Sequence, residues 1–194
     1  EQVCLIAESL RKLGLNPGDR VCIVSENRPE WCIADLAIMA AGCVTVPAYI
    51  TNTTRDHSHI LDNSGARAVF VSDEKLLKPL HGIQATGLVE HVIGIEDLNQ
   101  HQSSGFEYHS WAKMLEGDAV AARGAVEQRI AGIGRDQTAC IIYTSGTGGA
   151  PRGVLQHHGA ILCNVAGAAE VLIEDFGIED ERFLSFLPLS HAYE

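Results

Sequence analysis

The sequence predicts an α/β protein in which layered, mostly parallel sheets are flanked by helices. Helix-like and strand-like segments alternate over residues 1–95, and this alternation is typical of parallel strands joined by helical crossovers. The 194-residue chain has 46% hydrophobic residues, 20% charged residues and 6 prolines, which is the composition of a globular protein and not of a disordered one.

Helices are predicted where apolar residues recur every three to four positions or where a helix start signal occurs. The chain opens with such a stripe, formed by Val3, Ile6, Ala7 and Leu10. Pro29 suits the first turn of a second helix, because a proline there loses no hydrogen bond. Further helices are predicted at residues 55–63, 74–80, 111–115 and 159–173.

Strands are predicted where short apolar runs lie between turn residues. The first of these runs, residues 20–24, follows the Asn-Pro-Gly-Asp turn at residues 16–19. The other predicted strands are residues 44–47, 66–71, 91–95, 138–144 and 182–187. A further strand, between the last two of these, is predicted to run through residue 156.

The apolar stretch at residues 33–50 has about the length of a membrane span, but its details argue against one. Asp35 would lie in lipid, and Pro47 interrupts the run. Ile33, Leu36, Ala37 and Ala40 form the stripe of a helix that packs on one side. We therefore predict a buried helix that leads into a short strand.

The patterning divides the chain into three parts. Residues 1–95 are predicted to form a first α/β subdomain. Residues 96–135 are polar and irregular, and they are predicted to be a connecting segment and not part of the core. Residues 136–194 are predicted to begin a second α/β subdomain, which carries a glycine-rich loop.

The charge and the cysteines exclude several classes of protein. Fourteen basic and 25 acidic residues give a net charge of −11, which disfavours a nucleic-acid partner. The six cysteines are scattered through apolar stretches, so we expect buried thiols in a cytoplasmic protein and no disulfide framework. The histidine pairs at residues 57/59 and 157/158 lack further spaced ligands, and no metal-binding residue is assigned.

The loop at residues 143–154 (YTSGTGGAPRGV) has the chemistry of a polyphosphate cradle. Glycines let backbone amides approach an anion, hydroxyls donate hydrogen bonds, and a guanidinium fits phosphate oxygens. The spacing matches neither a Walker A loop, nor a dinucleotide fingerprint, nor a G-x-S-x-G nucleophile elbow. Composition alone leaves open a surface loop of no function.

Residues 143–154 resemble the signature loop of adenylate-forming enzymes, which include acyl-CoA synthetases, luciferases and adenylation domains. The usual pattern is Y-T-S-G-T-T-G-x-P-K-G-V, from which Gly148 and Arg152 depart. Residues 18–21 (GDRV), 27–31 (NRPEW) and 41–47 (AGCVTVP) support the resemblance in the expected order. NRPEW and the LPLSHAYE ending at 187–194 look most like long-chain fatty acyl-CoA synthetases.

The resemblance implies that a carboxylate and Mg-ATP form an acyl-adenylate and pyrophosphate, after which the acyl group passes to coenzyme A. ATP, Mg²⁺ and coenzyme A are thus the implied cofactors, and a fatty acid is the implied substrate. His191 would lie near the acyl group and the α-phosphate. The alternative is that His191 is a structural residue that caps a helix. The β- and γ-phosphates would be held by Thr144, Ser145, Gly146, Thr147, Gly148, Gly149 and Arg152.

The resemblance also implies an incomplete N-terminal domain. The family's adenine- and Mg-binding segment, ribose-binding aspartate and C-terminal lid have no counterpart here, so we expect residues 1–194 alone to be inactive. Two other interpretations stay open: an acyl-AMP ligase that delivers to a carrier protein, and a non-catalytic nucleotide-binding module. Acyl-chain length and oligomeric state are not predicted, and peripheral association with the inner membrane face stays open.

Overall fold

The computed structural model describes residues 1–81, 89–98, 105–144, 150–175, 177 and 187–191. Its helices are α1 (Gln2–Lys12), α2 (Pro29–Ala40), α3 (Thr54–Ser64), α4 (Glu74–His81), α5 (Trp111–Met114), α6 (Ala119–Ile130) and α7 (His158–Glu170). A π-helical turn, Val171–Asp175, follows α7. The strands are β1 (Arg20–Val24), β2 (Val44–Pro47), β3 (Ala66–Val71), β4 (His91–Gly94), β5 (Glu107–Ser110), β6 (Thr138–Thr144) and β7 (Arg152–His157).

These strands form a seven-stranded sheet in the order β5-β4-β3-β1-β2-β6-β7. Every neighbouring pair is parallel except β6 and β7, which pair antiparallel. The predicted mostly parallel sheet with flanking helices is therefore confirmed. The strand predicted at residues 182–187 lies outside the described residues apart from Leu187.

A hydrophobic core lies on each face of the sheet, and β1 contributes to both. Val21 and Ile23 belong to the core beneath α1 and α2, whereas Cys22 and Val24 belong to the core on the opposite face. Because successive strand residues point to opposite faces, a central strand covered on both sides is apolar throughout. This explains why residues 21–24 form a continuous apolar run, from which the strand could be predicted.

The first helix buries the predicted stripe. Ile6, Ala7 and Leu10 are fully buried, and Val3 is partly buried against the same core. The helix packs against α2 and α6. It ends before Gly14, whose φ of +86° is a conformation that residues with a side chain rarely adopt.

The second helix starts at Pro29 as predicted, and most of the predicted stripe packs on the core: Ala37 and Ala40 are buried and Ile33 is partly buried. Leu36, predicted to be packed, is 55% exposed, whereas Trp31, Ala34 and Ile38 are buried. Apolar residues surround most of this helix, so its sequence does not select one face. The helix ends at Ala40 and is followed by a strand, as predicted for the apolar stretch. Within the described residues, every helix is too short or too polar to cross a bilayer.

The segment at 96–135 is more than a connection. Its described residues form β5, α5 and α6, and Met114 and Val126 belong to the core beneath α1. The Ser9 hydroxyl also donates a hydrogen bond to the Met114 carbonyl, over 2.8 Å. The prediction that this segment lies outside the core was wrong. Since β6 pairs directly with β2, strands before and after it share one sheet, and the subdomain boundaries stay a prediction.

The cysteines are all free thiols, so the structure has no disulfide. Cys22, Cys43 and Cys140 are buried as predicted, and burial raises the pKa of Cys22 to about 12. Cys32 and Cys163 are exposed, so the expectation of buried thiols was wrong for these two. Each lies on a helix, where residues adjacent in sequence point to different faces, so apolar sequence neighbours do not show that the thiol is buried.

Asp35 on α2 provides a test of the packing between this helix and the sheet. Burial raises the pKa of its carboxyl to about 6 from an ordinary value of 3.8. The unfolded chain therefore loses this proton at lower pH, and the cost of folding appears as pH rises from about 4 through 6. At pH 7.5 we expect Asp35→Asn to raise the free energy of unfolding by about 1–2 kcal/mol, allowing for partial solvent screening.

Urea unfolding of the wild-type and Asp35→Asn proteins at pH 4 and pH 7.5 measures this effect. Asp62→Asn is the matched control, because Asp62 is an exposed aspartate on α3. An equal gain from Asp35→Asn at both pH values would contradict the assigned cause.

Candidate functional site

The candidate site lies where parallel strands end. The carboxyl ends of β1, β2 and β6 meet at one edge of the sheet, where ligands bind in open α/β folds. The turns at residues 25–28 and 48–53 leave β1 and β2 at this edge. Two neighbouring cavities open between these turns and the segment at residues 187–191.

The larger cavity, of about 410 Å³, brings together two of the predicted site residues, Thr144 and His191. The smaller one, of about 310 Å³, shares Tyr49 with it. The lining of the larger cavity is completed by Pro47, Ala48, Tyr49, Asn52, Asp56, Ile60, Tyr143 and Pro151. The site thus joins the end of the loop-bearing strand to the histidine that the family resemblance selected.

The strands on both sides of the predicted phosphate loop form a hairpin. Thr144 ends β6 and Arg152 begins β7, and these two exposed residues are directly opposed in the antiparallel register. Ser145, Gly146, Thr147, Gly148 and Gly149 lie outside the described residues. Arg152 does not line the larger cavity, so of the described site residues only Thr144 and His191 do.

Gly153 shows why a glycine follows the arginine. A Cβ atom at this position would lie 2.8 Å from Cγ2 of Ile141 and 3.1 Å from the Tyr143 ring. The first separation is shorter than van der Waals contact allows and the second is tight, so a side chain here would force the Ile141 and Tyr143 side chains to shift. The glycine therefore supports the hairpin that places Arg152 opposite Thr144.

Arg152 is available for an anion. Within the described residues it makes no ion pair, whereas Arg28 and Arg67 each pair with two carboxylates. Its exposed guanidinium and the exposed Thr144 hydroxyl match the donors that a polyphosphate requires. The described residues of the hairpin thus fit ATP. None of them is assigned to Mg²⁺.

Helix α3 braces both ends of the loop. The Tyr143 hydroxyl donates a hydrogen bond to Oδ1 of Asn63 over 2.7 Å, and Nε2 of His59 lies 2.8 Å from the Pro151 carbonyl oxygen. Since a carbonyl only accepts, this contact requires a proton on Nε2 of His59. The His59 and Tyr143 rings also pack edge to face, with centroids 6.2 Å apart.

The sequence did not single out these bracing residues. His57 and His59 lie on α3, within the helix predicted at residues 55–63. His57 is 1% exposed, and burial lowers its pKa. His59 and Asn63 are four residues apart and therefore lie on the same helical face, a spacing that was visible once the helix was predicted.

Asn27 fixes the position of the histidine segment. Its Nδ2 donates to the Leu187 carbonyl over 2.6 Å, and its Oδ1 accepts from the Leu189 amide over 2.9 Å. The His191 amide in turn donates to the Pro188 carbonyl over 2.8 Å. One side chain after β1 therefore anchors the turn that brings His191 to the cavity.

Asp56, an acidic residue in the lining of the larger cavity, caps the start of α3. Asp56 accepts hydrogen bonds from the Thr53 hydroxyl, over 2.7 Å, and from the Thr53 amide, over 3.0 Å. These bonds hold the pKa of Asp56 below its ordinary value, so it is ionised at neutral pH. Its carboxylate is thus committed to the capping box of α3 and not to proton transfer.

Comparison with known families identifies the class of protein to which this chain belongs. The sequence profile of the family described as AMP-binding enzyme matches residues 1–194. The chain belongs to this family.

Two of the similar proteins come from a bacterium and a plant. The chain is 32% identical to the long-chain-fatty-acid–CoA ligase FadD15 of Mycobacterium tuberculosis, over 98% of this chain and 30% of the relative. It is also 32% identical to long chain acyl-CoA synthetase 1 of Arabidopsis thaliana, over 100% of this chain and 30% of the relative. The chain therefore spans about a third of the length of these relatives.

Solved structures share the fold. The N-terminal domain of FACL13 from Mycobacterium tuberculosis superposes with a TM-score of 0.67 at 24% identity, covering 98% of this chain and 43% of that one. Acetoacetyl-CoA synthetase from Streptomyces lividans gives a TM-score of 0.71 at 24% identity, covering 88% of this chain and 26% of that one. These likenesses concern the fold of the described domain.

Proposed function

We propose that this chain is the N-terminal part of an ATP-dependent long-chain fatty acid–CoA ligase. The carrying observation is the single cavity that joins Thr144, at the start of the predicted phosphate loop, to His191. The relatives' names support the fatty acid as the substrate class and coenzyme A as the acceptor.

The proposed reaction has two steps. A carboxylate oxygen attacks the α-phosphorus of ATP, and the bond to the bridging oxygen breaks to release pyrophosphate. The thiolate of coenzyme A then attacks the acyl carbon, and AMP leaves. Adenylation is required because AMP is a far better leaving group than the oxygen of a free carboxylate.

The residues of this chain would bind and orient the nucleotide. The Thr144 hydroxyl and the loop amides would donate to the β- and γ-phosphates, and the exposed Arg152 would neutralise part of their charge. His191 would lie at the acyl and α-phosphate end of the cavity, held there through the Asn27 contacts. Bound Mg²⁺ would supply further neutralisation of phosphate charge.

Hydroxylamine trapping with the full-length protein tests the proposal. Acyl-adenylates react with hydroxylamine, so ATP-dependent hydroxamate formation across fatty acids of graded length reports the first step and its substrate. We expect hydroxamate with long-chain acids, and acyl-CoA once coenzyme A is added. The same assay with residues 1–194 alone is expected to yield none.

The other outcomes identify the alternatives. Hydroxamate without acyl-CoA formation would indicate delivery to a carrier protein. ATP binding without hydroxamate from any acid would indicate a nucleotide-binding module and would overturn the proposed ligase.

A further inference from the structure

A second cluster of side chains, of the types that bind metal ions, lies at the opposite edge of the sheet from the hairpin. His91 is on β4, and Glu107 and His109 are on the neighbouring edge strand β5. The parallel register pairs His91 with Glu107, and His109 follows Glu107 by two residues. All three side chains therefore project from the same face of the sheet.

The three groups converge on one point. Nδ1 of His91 lies 3.2 Å from Nε2 of His109 and 3.3 Å from Oε2 of Glu107. Oε1 of Glu107 is 3.9 Å from Nε2 of His109. Ligands at about 2.0–2.1 Å from a tetrahedral ion are separated from one another by about 3.3 Å. The two separations from Nδ1 of His91 match the edges of such a coordination sphere, and the Glu107–His109 separation of 3.9 Å is about 0.6 Å longer.

The contacts around His91 fix which nitrogen faces the cluster. Its Nε2 lies 3.1 Å from the Leu13 carbonyl oxygen, which can only accept, so the ring proton resides on Nε2. The Nδ1 lone pair then points towards His109 and Glu107. A ring nitrogen whose partner nitrogen donates to a backbone carbonyl is the usual arrangement of a metal-binding histidine.

An imidazolium His91 would donate from Nδ1 to Glu107, whereas a neutral His91 leaves one contact that hydrogen bonds do not explain. If Nε2 of His109 carries a proton, it can donate to Nδ1 of His91. Oε2 of Glu107 would still lie 3.3 Å from that same Nδ1, and both atoms would be acceptors. A cation between them converts this repulsion into attraction.

We propose that His91, Glu107 and His109 bind a zinc ion, with water as the fourth ligand. Two imidazoles and one carboxylate suit Zn²⁺ and other first-row metals, whereas Mg²⁺ and Ca²⁺ prefer oxygen ligands alone. Both histidine side chains are at most 10% exposed, while Glu107 is 65% exposed, so the cluster opens to solvent on the carboxylate side.

Glu90 is not the fourth ligand. Its carboxylate approaches Nε2 of His91 to 4.0 Å, but both of its oxygens accept from Arg67, over 2.9 and 2.7 Å. This bidentate pair holds Glu90 on the far side of the imidazole from Nδ1.

The site is structural and separate from the phosphate hairpin. Five strand spacings of about 4.8 Å separate β5 from β6, which places the cluster about 24 Å away across the sheet. An ion held by one strand and its edge neighbour would fasten β5 to β4. The edge strand β5, Glu107–Ser110, has few apolar residues that could stabilise its pairing with β4.

Calorimetric titration of the full-length protein with zinc chloride, after removal of metal by a chelator, tests the site. Cys32→Ser and Cys163→Ser are introduced throughout, so that these exposed thiols do not compete. We expect one zinc ion per chain, with at least about tenfold weaker binding for Glu107→Gln and for His109→Asn. His158→Asn is the matched control and should bind as tightly as the parent.

Cobalt supplies an independent spectroscopic readout. Bound Co²⁺ should give visible d–d bands without thiolate charge transfer, and both cluster variants should lose them. Glu107→Gln alters an exposed side chain, so an unchanged melting temperature without metal shows that its fold is intact. No zinc binding by the parent, or equal binding by parent and Glu107→Gln, would overturn the site and leave a hydrogen-bonded histidine pair.

Discussion

Met114→Ala is expected to lower the free energy of unfolding by about 3 kcal/mol, because truncating a buried methionine removes apolar contacts and leaves a cavity. Met114 is 2% exposed and lies in the core beneath α1, together with Phe70 and Ile6. The next residue, Leu115, packs against the same core, so the backbone at Met114 has little freedom to move and fill the cavity.

Chemical denaturation of the full-length protein measures this loss. The control is Val120→Ala on the neighbouring helix α6, where the side chain is 84% exposed and a change within about 0.5 kcal/mol is expected. If Met114→Ala were as mild as Val120→Ala, the result would contradict the core position of Met114 and favour the prediction that residues 96–135 lie outside the core.

Local sequence was sufficient where local interactions decide the structure. The bounds of β1, β2, β3 and β6 agree with the predicted strands, because these apolar runs lie between turn residues. The start of α2 at Pro29 was predicted for a similar reason, since a proline favours the first turn.

The edge strand β5 escaped prediction for a physical reason. Its sequence, Glu-Tyr-His-Ser, has no apolar alternation, and its pairing with β4 depends on residues 16 positions away, as in His91 and Glu107. The exposed Leu36 on α2 has a similar explanation. When apolar residues surround a helix, only its tertiary neighbours decide which face is buried.

The candidate site also contains residues that the sequence predicts and a residue that only the structure reveals. Thr144, Arg152 and His191 carry recognisable motif chemistry and were found in the sequence. Asn27 was quoted only as part of a motif, because its hydrogen bonds reach backbone atoms 160 and 162 residues away. No local sequence pattern predicts such a contact. The bond to the Leu187 carbonyl needs an amide donor, and asparagine is the amino acid that carries one on a side chain this short.

Arg152→Ala is expected to lower kcat/KM for ATP by about 10- to 100-fold in the full-length enzyme. A hydrogen bond to a charged group contributes about 1.5–3 kcal/mol, and each 1.4 kcal/mol corresponds to a factor of ten. Arg152 has no carboxylate partner within the described residues, so no local ion pair is broken and the fold should be unaffected. Steady-state kinetics with varied ATP measures the loss.

Two further variants separate charge from shape. Arg152→Lys restores the residue usual in the resembling family, so it should recover most of the activity, with any deficit confined to the geometry of the phosphate contact. Arg123→Ala removes an exposed arginine that pairs with Glu127 on α6, over 2.9 Å, and it should leave kcat and KM unchanged. If Arg152→Ala also left the KM for ATP and kcat unchanged, Arg152 would have no role in binding pyrophosphate. The phosphate site would then depend on the loop amides and hydroxyls alone.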